Sequence, residues 1–157
     1  MPRFSEMLDR RAEEIKQAPL PPVGEYLWQV KKHPEPGEIT SKKDGTVYDT
    51  LTFEMIVVEP LEVDADQLAE YGKVAGFTAR KQFLFNTAEG EDVARERTLN
   101  SIKMFLETLG CFEEGMQLNE GLAASPTMQC RGELTHRADP QDPNRFYAEL
   151  GRTYKVE

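Results

Sequence analysis

Four places where aromatic and basic side chains stand close together are the stretches of this chain best suited to a recognisable chemistry. Trp28 precedes Lys31 and Lys32; Lys42 and Lys43 precede Tyr48; Arg80 and Lys81 precede Phe83 and Phe85; Arg145 precedes Phe146 and Tyr147. Arg131 joins a further basic string with Arg137, Arg152 and Lys155. Rings offer faces on which bases stack, worth about 1–3 kcal/mol per base, and neighbouring cations track the phosphates of a single strand. The pattern also has a plainer meaning, because strand aromatics commonly fill the core. Trp28, Phe53, Phe83 and Phe85 read first as core and second as stacking platforms. Tyr48 and Tyr147 flank turns and strand ends, and suit either role.

Other chemistries find less support. The chain has no Walker-type phosphate loop, no nucleophile elbow and no HExxH motif. Its 28 acidic residues offer no pair that spacing singles out for catalysis. His33 lies beside prolines and His136 beside Arg137, with no Ser or Cys motif near either, so both read as surface residues. Cys111 and Cys130 are too few for a disulfide framework and read as reduced, structural thiols. Neither histidine stands at a zinc-ligand spacing from them. No catalytic residue, metal site or cofactor is therefore expected.

The net charge of −9 works against a nucleic-acid partner, since phosphate binding requires a positive face. A sum says nothing about distribution, however. Acid gathers in Glu59–Glu70, Glu89–Glu96 and Glu107–Glu120, away from the basic clusters. A local basic groove can coexist with an acidic molecule if the fold segregates them. An ordinary mixed-charge surface is the alternative.

The positioning elements are legible in part. Residues Asp92 to Gly110 form the clearest amphipathic helix, with Leu99, Ile102, Phe105, Leu106 and Leu109 on one face. Asp92 complements the helix dipole, and Gly110 suits a left-handed cap. Strands are predicted at Val23 to Lys32, Val47 to Glu59 (ended by Pro60), Phe77 to Asn86, Thr127 to Arg137 and Arg145 to Lys155. Residues 33–46 read as a loop or hairpin tip, and Leu61 to Gly76 as an acidic insertion with a helical turn near Ala65 to Tyr71. Met116 to Leu122 is irregular or a second short helix. Phe4 to Ala18 reads as an amphipathic helix stopped by the prolines of residues 19–22, giving an N-terminal arm (1–22) that docks on the main domain (23–157), packs on another copy, or stays free and disordered, since a short helix is marginal alone in water. The fold class is mainly β with helices (α+β). Three strands, a helix and two strands are the order of the OB-fold, a five-stranded Greek-key barrel.

VGEYLWQVKK, the lysine-bearing loop SKKDGT and YDTLTFEMIVVE resemble the opening of phage-encoded single-stranded-DNA-binding proteins of OB-fold type. The resemblance continues through the helix end FLETLG and the later CRGEL, and spans Val23 to Lys155. It implies sequence-tolerant binding of single strands exposed in replication or recombination, with replication or recombination proteins as further partners. Many members end in an acidic tail that recruits such partners; here the sequence ends GRTYKVE, so recruitment would need another surface, for example the Glu59–Glu70 insertion. A cytoplasmic location, in the host if phage-encoded, and no membrane partner are expected, because no apolar run approaches the roughly 20 residues of a membrane span. Assembly into a homo-oligomer is left open. The competing expectation is a protein-interaction or structural adaptor module on a small barrel, which fits the acidity better.

Overall fold

The computed structural model describes Leu8 and residues 17–156. Antiparallel strands dominate it: β1 (Gly24–Val30), β2 (Glu35–Thr40), β3 (Val47–Val63), β4 (Thr78–Asn86), β5 (Gln129–Ala138) and β6 (Phe146–Tyr154). Helix α1 (Ala65–Tyr71) follows β3, while α2 (Asp92–Leu109) and α3 (Leu118–Ala124) lie between β4 and β5. The class is α+β, as the patterning predicts. The expected helix over residues 4–18 falls almost wholly outside the described residues. No helix among the described residues is long and apolar enough to cross a membrane.

β3 is the spine of the sheet. Its first half is flanked by β2 on one side and β4 on the other, and its second half pairs with β1. β1 pairs in turn with β5, and β5 with β6. β4 and β6 approach one another without forming a hydrogen-bonded ladder, so the sheet curls but stays open. Helix α2 packs mainly on β4 and also reaches β6.

Alternation along the strands sends one set of side chains inward. Tyr26, Trp28 and Val30 of β1, Phe53, Met55 and Val57 of β3, Phe83 of β4, and Cys130 and Leu134 of β5 form one core. The apolar stripe of α2 closes it through Ile102, Phe105, Leu106 and Leu109. The rings of Phe53 and Phe105 meet edge to face at 5.0 Å, a geometry favoured by their quadrupoles. Gly110 ends α2 in the left-handed conformation (φ 80°), its N–H bonding the last-turn carbonyls of Glu107 and Leu106. The connection from β4 to α2 is tied by Arg95, whose guanidinium donates to the carbonyls of Asn86 (2.8 Å) and Ala88 (2.9 Å). Thr98 Oγ1 donates to Leu84 O at 2.8 Å and fixes the helix to the strand.

Three expectations are corrected. Residues 35–40 are a strand, not a loop: every residue of β2 is exposed, so no hydrophobic period marks it, and its ladder with β3 supplies the order. Pro60 does not end β3, which runs to Val63. Proline is tolerated because the register with β1 shifts at Tyr26, the partner of Pro60, where a regular ladder bond is not required. Among the described residues the sheet has six strands, and it does not close into a five-stranded barrel. The linker to the arm docks on the sheet: Tyr26 Oη donates to Pro22 O (2.6 Å), and the Gln17 amide exchanges two hydrogen bonds with the backbone of Phe146 (2.6 and 2.9 Å).

Candidate nucleic-acid interface

Residues directly opposite in neighbouring strands share a face, so the register of β2, β3 and β4 defines a surface on the side away from the core. Ile39, Tyr48 and Asn86 stand in one row of it; Gly37, Thr50 and Leu84 in the next; Glu35, Thr52 and Gln82 in a third. Glu54 and Arg80 make a fourth. Ile39 and Leu84, in adjacent rows, remain about 40% exposed (42% and 40%). With half-buried Tyr48 they give this face an apolar end. Gln82 Nε2 donates to Thr52 Oγ1 at 3.1 Å in its middle.

Towards the other end the curl of the sheet opens a cleft of about 420 Å³ astride β3, with Lys32, Glu35, Thr50, Thr52, Glu54 and Arg80 among its walls. The turn between β2 and β3, carrying Lys42 and Lys43, extends the apolar end. It is held by Gly45 N–H donating to Ser41 O (2.9 Å) and by Asp44, which accepts from Thr46 N at 3.0 Å. That backbone hydrogen bond is the main reason the Asp44 carboxyl sits below its usual pKa.

The surface therefore gathers Lys31, Lys32, Lys42, Lys43, Tyr48 and Arg80 from the residues singled out in the sequence. Their charges are not equally free. Lys31 Nζ lies 3.4 Å from Glu54, and Lys32 Nζ lies 2.8 Å from Glu35 and 3.3 Å from Glu54. The hydrogen bond to Glu35, then that to Glu54, raises the Lys32 pKa; the bond from Lys32 lowers that of Glu54. Among the described residues, Lys42, Lys43 and Arg80 have no carboxylate within salt-bridge distance. These acids were missed because the partners of Lys31 and Lys32 come partly from β3, 22 or 23 residues away.

Other candidates lie elsewhere. Trp28 is fully buried and donates its Nε1–H to Gly132 O at 3.1 Å, so neither ring face is open to a base. Phe53 and Phe83 are likewise core residues. Lys81 points inward, opposite to Arg80, with its ammonium 5.9 and 5.5 Å from the ring centres of Phe83 and Phe105. Burial lowers its pKa. The thiol of Cys130 is buried, and the same desolvation pushes it up to about 12, an inert structural cysteine. Arg131 belongs to another face, where it bonds Glu25 (3.1 Å) and Lys155 O (3.1 Å) and stacks 5.6 Å over Tyr154.

At the turn between β5 and β6, Arg145 lies 5.3 Å over the ring of Tyr147, whose hydroxyl donates to Asp139 at 2.9 Å. That bond raises the Tyr147 pKa. Tyr147 is exposed, but one face of its ring is already taken by Arg145. His136 bonds Pro21 O at 2.6 Å, an anchor for the linker. Among the described residues no three His, Cys, Asp or Glu side chains cluster as metal ligands.

Comparison with protein-family models finds no match, and comparison with curated proteins finds none.

Proposed function

We propose that the chain is a sequence-tolerant single-stranded-DNA-binding protein of OB type, covering strands exposed in phage replication or recombination and acting by binding rather than catalysis. The observation that carries the reading is the β2–β3–β4 face. It carries apolar side chains at Tyr48, Ile39 and Leu84 in adjacent rows, with Lys42 and Lys43 at that end and Arg80 at the other, all three without a carboxylate partner among the described residues. Rings and apolar side chains receive bases, and cations the intervening phosphates. The strand order β4-β3-β1-β5-β6, with β4 approaching β6 and a helix between β4 and β5, supports the OB reading. In that fold the second and third barrel strands, here β3 and β4, and the loop before them form the oligonucleotide-binding face.

A second reading, a protein-interaction or adaptor module, is favoured by a row of acids on another face. Glu62, Glu25 and Glu133 stand directly opposite one another across β3, β1 and β5. Like charges in register are unfavourable; Arg131 relieves Glu25, and the Tyr154 hydroxyl donates to Glu133 at 3.3 Å. A fluorescence titration with labelled oligothymidine at two salt concentrations separates the two. Binding that weakens steeply with salt is expected of the first. Absence of binding at low salt overturns it in favour of the second.

A further inference from the structure

The cations of the proposed face divide into two sets. Lys42, Lys43 and Arg80 are open to solvent, whereas Lys31 and Lys32 are drawn into a chain of ion pairs running Lys31–Glu54–Lys32–Glu35. Glu54 uses both carboxylate oxygens, one for each lysine. It is the least exposed member of the chain (29%), fixed in the wall of the cleft by its place on β3, while the two lysine side chains stay about half exposed (50% and 51%). Arg80 is the direct cross-strand partner of Glu54 on the same face. The acids therefore sit at the centre of the basic end of the groove, at hydrogen-bonding distance from the groups a phosphate would use.

Exposed ion pairs contribute little to folding, about 0–1 kcal/mol, because water and salt screen them and ordering long side chains costs entropy. The pairs at the cleft are thus weakly motivated as stabilising elements. For an incoming strand they matter more. A phosphate can use such a lysine only by displacing its carboxylate, and the energy of the opened ion pair offsets part of what the new contact and the release of the strand's own counterions supply. The displaced acid then faces the phosphate across the groove.

We propose that Glu54 and Glu35 are intramolecular competitors for the strand, occupying Lys31 and Lys32 as phosphates would and so holding affinity down and exchange fast. The proposal rests on the single-strand reading of this face. It assigns the two glutamates a role that the basic residues alone would not suggest: they set the strength of binding and do not merely oppose it. A strand bound at Tyr48, Lys42 and Lys43 engages Lys31 and Lys32 only by opening their ion pairs, so that end is the weaker part of the contact.

The test is a titration of labelled oligothymidine against the wild type, Glu54→Gln, Glu35→Gln and, as a control for net charge, Glu120→Gln. Glu120 is exposed on α3 and does not line the cleft. Melting temperatures confirm that each variant is folded. Glu54→Gln is expected to bind on the order of tenfold more tightly at low salt, with a log–log salt slope steeper by about 0.7 for each lysine released. Glu35→Gln should show a smaller gain in the same direction, and Glu120→Gln almost none. A wild type that binds while Glu54→Gln binds equally or more weakly overturns the competition and leaves the single-strand reading standing, as does an equal gain in Glu120→Gln. A wild type that fails to bind at low salt overturns the single-strand reading, and the competition falls with it.

Discussion

Tyr48 and Trp28 show how similar residues take opposite roles according to the face of the strand they occupy. Tyr48 stands on the outer face between Ile39 and Asn86, whereas Trp28 is sealed inside and fixed by Gly132. Tyr48→Ala should weaken oligothymidine binding by about 1–3 kcal/mol, the value of one stacked base, with little change in melting temperature. Trp28→Ala should instead cost about 3–5 kcal/mol of folding stability, read by denaturant unfolding. Unchanged binding by Tyr48→Ala removes Tyr48 from the interface. Part of this distinction was legible in the alternation of residues. A strand sends neighbours to opposite faces, so Arg80 and Lys81 could never serve one surface. What alternation leaves open is which face is inside, and only packing against Phe105 decides that for Lys81. The pairing of Lys31 and Lys32 with Glu54 was beyond reach, because it depends on how two distant strands come together.

Among the elements, α2 was the most legible, since its apolar stripe, acidic start and glycine stop agree on the same boundaries. Local signals of this kind need no knowledge of the fold. β2 is the opposite case: EPGEIT contains a proline and a glycine, buries nothing, and exists through its ladder with β3. That strand matters to the proposal, because without it the outer face would lose Ile39 and the cleft would lose Glu35. The end of α2 gives a test of how far the helix depends on its stop. A Cβ at Gly110 would touch only Met128, at 3.9 Å, so the cost of Gly110→Ala is conformational and not steric. Holding a residue with a side chain at φ 80° should cost about 1–2 kcal/mol. Denaturant unfolding should show that loss, with oligothymidine affinity preserved because Gly110 lies away from the proposed face.

At the scale of the whole molecule the question is how a protein of net charge −9 could hold a polyanion. The sequence suggested segregation of acid from base, and the sheet achieves it only in part. Glu62, Glu25 and Glu133 occupy the β3–β1–β5 face, but Glu35 and Glu54 stand within the basic one. The succession of the five other strands and of α2 was legible, whereas β2 and the open gap between β4 and β6 depend on pairing and curvature that no local pattern encodes. The number of free cations then determines a measurable quantity. With Lys31 and Lys32 occupied, Lys42, Lys43 and Arg80 are left to meet phosphates. Three such contacts at about 0.7 each give a slope of log affinity against log salt of about −2 for a single strand. Substituting all three by glutamine should flatten the slope towards zero and weaken binding to every sequence alike, because phosphates carry no sequence information. A slope left unchanged in that triple variant would place the strand on another face. A wild-type slope of about −3.5 would mean that Lys31 and Lys32 are released on binding, with the carboxylates of Glu54 and Glu35 yielding to the strand.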